Sequence, residues 1–190
     1  WVLRAACAQA AAWQRAGLGP LRVAVNLSSR QFRDAGLPEL VAQILRDTAL
    51  PSTSLEIELT ESLMMEDVDT AVATMRALKA MGVHLSIDDF GTGYSSLSYL
   101  KRFPVDVLKI DQSFVRDIGH DASSSAMVAA MISLSHELGL RVIAEGVETR
   151  AQWDYLLGRG CDEVQGYYLS RPLRGRDFEQ MVRERRADGH

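Results

Sequence analysis

The sequence predicts an α/β fold whose parallel sheet curls as an incomplete (β/α) barrel. Short apolar runs alternate with segments of helical periodicity along the chain, the pattern of parallel strands joined by right-handed crossovers. The end of essentially every strand carries a polar, mostly ionisable residue: Asn26, Glu58, Asp88 and Asp89, Lys109 and Asp111, Glu145, and Gln165. Parallel strands aim these ends at one face. Their recurrence on strand after strand fits the mouth of a barrel better than the single switch point of an open doubly wound sheet. No Gly-x-Gly-x-x-Gly follows the first strand to mark a dinucleotide fold. A closed eight-stranded barrel takes roughly 250 residues. With 190 residues, six of the eight strands are expected. The shortfall is placed at the N-terminus, because Trp1 stands inside an apparent helix with no preceding cap.

The elements follow in order. Trp1 to Arg15, rich in Ala and Gln, reads as a helix broken at Gly17 and Pro20. Leu21–Leu27 is a short apolar strand, and Pro38 can open a helix to about Arg46. Pro51 and Ser52 turn the chain into the strand Leu55–Leu59. From Asp67 to Met81, apolar residues at Val68, Ala71, Val72, Met75, Leu78 and Met81 keep helical spacing, with Gly82 as the stop. The strand from Val83 runs into Asp88, a short helix is expected from about Ser95 to Arg102, and Val105–Leu108 is the next strand. Asp121 can cap a long helix to Leu138. Then come the strand Leu140–Ala144, a helix from about Thr149 to Leu157, the strand Cys161–Val164 and a terminal helix over Asp177–Arg186.

Composition narrows the function. The net charge of -4 disfavours general attraction to nucleic-acid backbone, so no DNA or RNA polymer is expected as a partner. Arg183, Arg185 and Arg186 read as a solvated helix end far from any motif. Cys7 and Cys161 have neither a disulfide framework nor metal spacing and read as buried, inert thiols in a reducing compartment. No stretch is apolar and long enough to span a membrane, and no signal peptide is visible. The domain is therefore expected in the cytoplasm without membrane contact, although a parent protein could be anchored through another domain. His84, His120, His136 and His190 have no ligand spacing, and Met75, Met81, Met127 and Met131 read as core fill.

The strand tips carry the chemistry. Adjacent strand residues point opposite ways, so Asp89 joins Asp88 only if the backbone turns there, as Gly91 and Gly93 allow. Such a pair can touch two metal ions roughly 3.5–4 Å apart. Alone it reads as a solvated turn with an Asx cap; beside Glu58 and Glu145 it reads as a metal site. Glu56 shares the face of Glu58 and needs a partner the sequence does not name, unless the two form an outward pair on an exposed edge. Asn26 offers a neutral oxygen to a hard cation, or is a helix cap or turn residue. Lys109 can neutralise negative charge that develops at such a site, or pairs with its neighbour Asp111. Glu145 binds metal, orients water or accepts its proton, or is a salt-bridged rim residue. Gly91-Thr92-Gly93 can present N–H groups to an anion, and reads more readily as a mobile loop beside the site.

Val25-Asn26-Leu27-Ser28, Glu58-Leu59-Thr60-Glu61, Asp88-Asp89-Phe90-Gly91-Thr92-Gly93-Tyr94-Ser95-Ser96-Leu97, Lys109-Ile110-Asp111, Ala144-Glu145-Gly146-Val147-Glu148-Thr149 and Gln165-Gly166-Tyr167 together resemble the EAL domain family, the bacterial cyclic-di-GMP phosphodiesterases. The match runs through nearly the whole chain, in order. It implies one EAL domain over residues 1–190, a TIM-like barrel, and hydrolysis of cyclic di-GMP to linear pGpG with two Mg²⁺ or Mn²⁺ ions. By motif, Asn26, Glu58, Asp88, Asp89 and Glu145 match metal-site positions. Lys109 matches the lysine that holds and polarises the attacking water, and Glu145 the proposed general base. Gln165 matches an active-site glutamine. Glu61 and Glu148 match residues that steady the loop after Asp89, which holds Thr92 and takes part in dimer contacts. A homodimer and an upstream regulatory domain are implied as well.

The Glu-Ala-Leu motif itself, with its metal-ligating glutamate, is absent, as are the first strands. That fits a truncated piece, short of one ligand and part of the barrel wall, with two exposed sheet edges. The alternative function is a catalytically inactive module that binds cyclic di-GMP or a partner protein. A different metal-dependent barrel enzyme rests on fold alone.

Overall fold

The computed structural model describes residues 1–60, 67–92 and 100–187. Glu61, Gly93 and most of the helix expected from Ser95 lie outside the described residues. Within them run α1 (Val2–Arg15), β1 (Val23–Asn26), α2 (Ser29–Phe32), α3 (Leu37–Thr48), a 3-10 turn (Ser52–Ser54), β2 (Leu55–Thr60), α4 (Val68–Ala80), β3 (His84–Phe90), β4 (Val107–Ile110), α5 (Gln112–Arg116), α6 (Ala122–Glu137), β5 (Arg141–Ala144), α7 (Arg150–Gly158), β6 (Glu163–Val164) and α8 (Gly175–Ala187). All strand pairs are parallel and the order is sequential, β1 to β6. The sheet is a curled, open half-barrel, as expected, with β1 and β6 at its edges.

Local chemistry sets the helix starts. Asp67 Oδ1 accepts from Thr70 N at 3.2 Å, Asp121 Oδ2 from Ser124 N at 2.6 Å, and Thr149 Oγ1 from Gln152 N at 3.2 Å. Each side chain satisfies an amide that the first helical turn leaves without a partner. Pro38 sits in the first turn of α3. The two short helices α2 and α5 have no counterpart among the expected elements, because one turn is too short to show periodicity. Their caps are there: Ser28 forms a capping box with Gln31, and Asp111 accepts from Ser113 N.

The strands divide the sheet into two chemically distinct faces. Val25, Leu55, Ile57, Leu59, Leu85, Ile87, Leu108, Ile110 and Val142 are buried on one. They share one core with Cys7, Val41, Met75, Ile132 and Leu156 of the helices. Each such Leu or Ile contributes about 1.5–3 kcal/mol on burial. The alternate positions form the inner face, where Asn26, Glu58 and Ser86 lie side by side in register. The helices thus anchor the sheet through its apolar face and leave the other free for polar chemistry.

Glu56 lies on that inner face, only 4% exposed. Its partner is Arg22, whose Nη1 stands 3.3 Å from Glu56 Oε2; the outward pair on an exposed edge is not what forms. Other expectations are corrected too. Cys161 is only partly buried, donating its thiol to the Val142 and Glu163 carbonyls, and burial raises its pKa to about 11. Met127 is exposed on α6 instead of filling core. The arginines of α8 are not simply solvated: Arg183 and Arg186 donate to the carbonyls of Ala16 and Gly17 just past the end of α1, and Arg185 to that of Leu169. Trp13 and Phe178 stack beside this contact, ring centroids 4.7 Å apart.

Candidate active site

The site begins with an irregularity in β3. Ile87 pairs with Leu108, but the next pairing is Phe90 with Ile110, so Asp88 and Asp89 together face the single residue Lys109. This is a β-bulge, a device that re-aims side chains at sheet ends. Asp89 sits at φ 54, a left-handed conformation that Asp adopts far more readily than bulky residues do. The cost is of order 1 kcal/mol. The turn expected from Gly91 and Gly93 therefore starts two residues before Gly91, at Asp89 itself. Thr92 closes it, its Oγ1 donating to the Asp89 carbonyl at 2.8 Å.

Lys109 is the hub. It projects from β4, its side chain 4% exposed, and Nζ lies 2.6 Å from Glu58 Oε1, 2.6 Å from Glu145 Oε1 and 3.4 Å from Asp88 Oδ1. Asn26 Nδ2 donates to Glu58 Oε2 at 2.7 Å. Five consecutive strands thus deliver Asn26, Glu58, Asp88 with Asp89, Lys109 and Glu145 to one place. The pairing of Lys109 with its sequence neighbour Asp111 does not form. Asp111 instead caps α5 and contacts Asp89, a contact the sequence reading missed.

Four carboxylates surround one ammonium here. Burial pushes the Glu58 and Glu145 carboxyls above their usual range, further than Lys109 draws them down, and neighbouring carboxylates add to the rise. Burial and then the Asp88 charge raise Asp89 as well. For Lys109, burial works against the charge, but hydrogen bonds from it to Glu145 and Glu58 and their negative charges outweigh that, so its pKa is raised and it stays cationic. Asp88 Oδ1 is buried and makes no hydrogen bond among the described residues. A buried carboxylate oxygen without a hydrogen bond is costly. Asp88, Asp89 and Glu145 each offer one oxygen, all within 4.8 Å of one another. Bonds of about 2.0–2.6 Å to hard divalent cations place ligand oxygens roughly 3–5 Å apart. In donor type, spacing and uncompensated charge, the residues fit such a cation.

The remaining candidates stand on the segments that follow β3, β5 and β6. Gln165 follows β6, its N donating to the Ala144 carbonyl at 2.8 Å. Its exposed side chain lines a cavity of about 600 Å³ with Trp13, Tyr167 and Phe178. Thr92 and Glu148 are exposed, and Glu148 N donates to Gln152 Oε1 at 2.8 Å.

Residues 1–172 match the EAL domain. The chain belongs to the EAL domain family. It is 45% identical over 184 residues to the signaling protein YkoW of Bacillus subtilis, covering 97% of this chain and 23% of that protein. It is 46% identical over 173 residues to the bifunctional diguanylate cyclase/cyclic di-GMP phosphodiesterase MucR of Pseudomonas aeruginosa, covering 91% of this chain and 25% of MucR. The chain thus spans about a quarter of the length of these relatives. The solved PaMucR phosphodiesterase in complex with c-di-GMP superposes with a TM-score of 0.90 at 45% identity, over 94% of this chain and 72% of that one. The manganese/cyclic-di-GMP complex of Klebsiella pneumoniae BlrP1 gives 0.79 at 35% identity, over 88% and 42%. No described helix of this EAL chain is long and apolar enough to cross a membrane.

Proposed function

We propose that the chain hydrolyses cyclic di-GMP to linear pGpG as a metal-dependent phosphodiesterase. One observation carries this reading: Asn26, Glu58, Asp88 and Glu145, from four strands, meet around Lys109 with the bulged Asp89 beside them. The likeness to relatives described as phosphodiesterases or as cyclic-di-GMP complexes supports the substrate.

Two Mg²⁺ or Mn²⁺ ions, held by Asn26, Glu58, Asp88, Asp89 and Glu145, would place positive charge on the scissile phosphate and lower the pKa of the attacking water. Lys109 Nζ, cationic between two carboxylates, meets the negative charge that develops on the phosphate. A Glu145 carboxylate oxygen takes the proton of the water. Burial, which raises the Glu145 pKa, makes it a better acceptor than an exposed carboxylate. The water oxygen bonds to phosphorus, the bond to the 3′-oxygen breaks, and that oxygen gains a proton. The phosphate remains on the 5′ side, giving the linear product. Gln165 contacts the dinucleotide, and Glu148 steadies the segment holding Thr92. The family resemblance also supports a homodimer, and the greater length of the relatives supports work beside further domains.

The test is incubation with cyclic di-GMP and Mn²⁺ or Mg²⁺, followed by chromatography of the nucleotides. Linear pGpG from the wild type and none from Asp88→Asn supports the reading. Tight binding of intact cyclic di-GMP with no product overturns it in favour of a receptor.

A further inference from the structure

Glu145 is not held by its own strand alone. Its N donates to the Ile110 carbonyl at 3.0 Å, and the chain beyond it, Gly146 to Thr149, runs against α5. That helix begins one residue after the Lys109-Ile110-Asp111 strand end. Two features fix the contact. Gly146 has φ +70, and a Cβ there would stand 2.5 Å from Gln112 Cβ and 3.2 Å from Gln112 Cα. Only glycine lets the segment lie this close to the first residue of α5. The second feature is Gln152, 6% exposed on α7. Its Oε1 accepts from Glu148 N at 2.8 Å and Thr149 N at 2.9 Å, and its Nε2 donates to the Arg116 carbonyl of α5 at 3.4 Å. One amide therefore ties the far end of the Glu145 segment to the far end of the helix that follows Lys109.

We infer that Gln152 and Gly146 are positioning residues that seat the Glu145 segment on α5 and so set the approach of Glu145 to Lys109 and the acidic cluster. The inference rests on the proposed cation-dependent hydrolase. A helix cap alone needs only the acceptor of Gln152. The donor to Arg116 adds nothing to capping α7; it satisfies the last carbonyl of α5 and so joins two helices that follow different strand tips. Partners one layer behind a metal ligand orient it, and their loss commonly costs 10–100-fold in affinity or activity.

Gln152→Glu separates the two roles. A glutamate keeps the acceptor for Glu148 N and Thr149 N, as capping boxes do, and loses the donor to the Arg116 carbonyl. Gly146→Ala breaks the other contact without touching Gln152. Each variant is measured well below its own unfolding midpoint, by Mn²⁺ titration and by cyclic di-GMP turnover. The expected result for both is Mn²⁺ binding weakened about tenfold and kcat lowered about tenfold, with KM changed less than about twofold. Wild-type Mn²⁺ affinity and kcat in both variants would overturn the inference and leave Gln152 a helix cap. If the wild type binds Mn²⁺ but cleaves nothing, the hydrolase reading fails, and the Mn²⁺ titrations alone decide the positioning role.

Discussion

Replacing Lys109 with methionine removes the one cation that the described residues place in a buried acidic cluster, while nearly keeping side-chain volume. Lys109 Nζ lies within 2.6 Å of two carboxylates and 3.4 Å of a third, and its side chain is 4% exposed. Removing one partner of such a buried pair typically costs about 3–5 kcal/mol, because it strands charge away from water. In a domain of this size each kcal/mol moves the midpoint by about 2–4 °C, so Lys109→Met is expected to lower it by roughly 10 °C in EDTA near pH 8. The pH dependence has a definite sign. Glu58 and Glu145 have pKa values raised on folding, so the folded state binds more protons above the ordinary carboxylate pKa. Without Lys109 the rise is larger. The penalty therefore shrinks as the pH falls towards the ordinary carboxylate range and grows as it rises through the folded values. Thermal and urea unfolding at two pH values measure this. A loss under about 1 kcal/mol, equal at both pH values, is what an exposed ion pair gives and would refute the reasoning.

Three further outcomes are expected. Asp89→Gly relaxes the left-handed backbone, so stability holds or rises by up to about 1 kcal/mol, while Mn²⁺ binding by titration calorimetry weakens at least tenfold; unchanged binding would remove Asp89 from the site. In the wild type, the raised Glu58, Asp89 and Glu145 favour stability on the acid side when cations are chelated, and that contribution is lost as pH rises through their folded values. Mg²⁺ held at one concentration, about 100 times its Kd near pH 8, should then add about 2.7 kcal/mol near pH 8 and much less near pH 5, read as thermal shifts; equal shifts at both would count against carboxylate ligands. Arg22→Ala leaves the buried Glu56 without its ion pair and should cost about 2 kcal/mol in urea unfolding; no loss would mean that the pair contributes nothing.

Much of the site was legible in the sequence because the relevant signals are local. Asn26, Glu58, Lys109 and Glu145 each end an apolar run, and parallel strands turn that shared position into a shared location. Asp121 announced its helix by capping chemistry, and the helix after Asp67 by its apolar spacing. What stayed hidden depends on register or on distant partners. The bulge that brings Asp89 beside Asp88 is a mismatch between β3 and β4, which no single strand displays. The partner of Glu56, Arg22, stands just before β1, 34 residues away. Gln152 read as one more helical residue, and its bond to Arg116 spans 36 residues. Met127 kept helical spacing yet faces outward, since periodicity fixes a face only when the opposing surface is known.

Diffraction from crystals soaked in Mn²⁺, recorded at the manganese absorption edge, bears most directly on the central claim. The anomalous signal is expected among the carboxylate oxygens of Asp88, Asp89 and Glu145, with Lys109 Nζ still paired to Glu58. Manganese found only at surface carboxylates, with this cluster empty under saturating Mn²⁺, would contradict it.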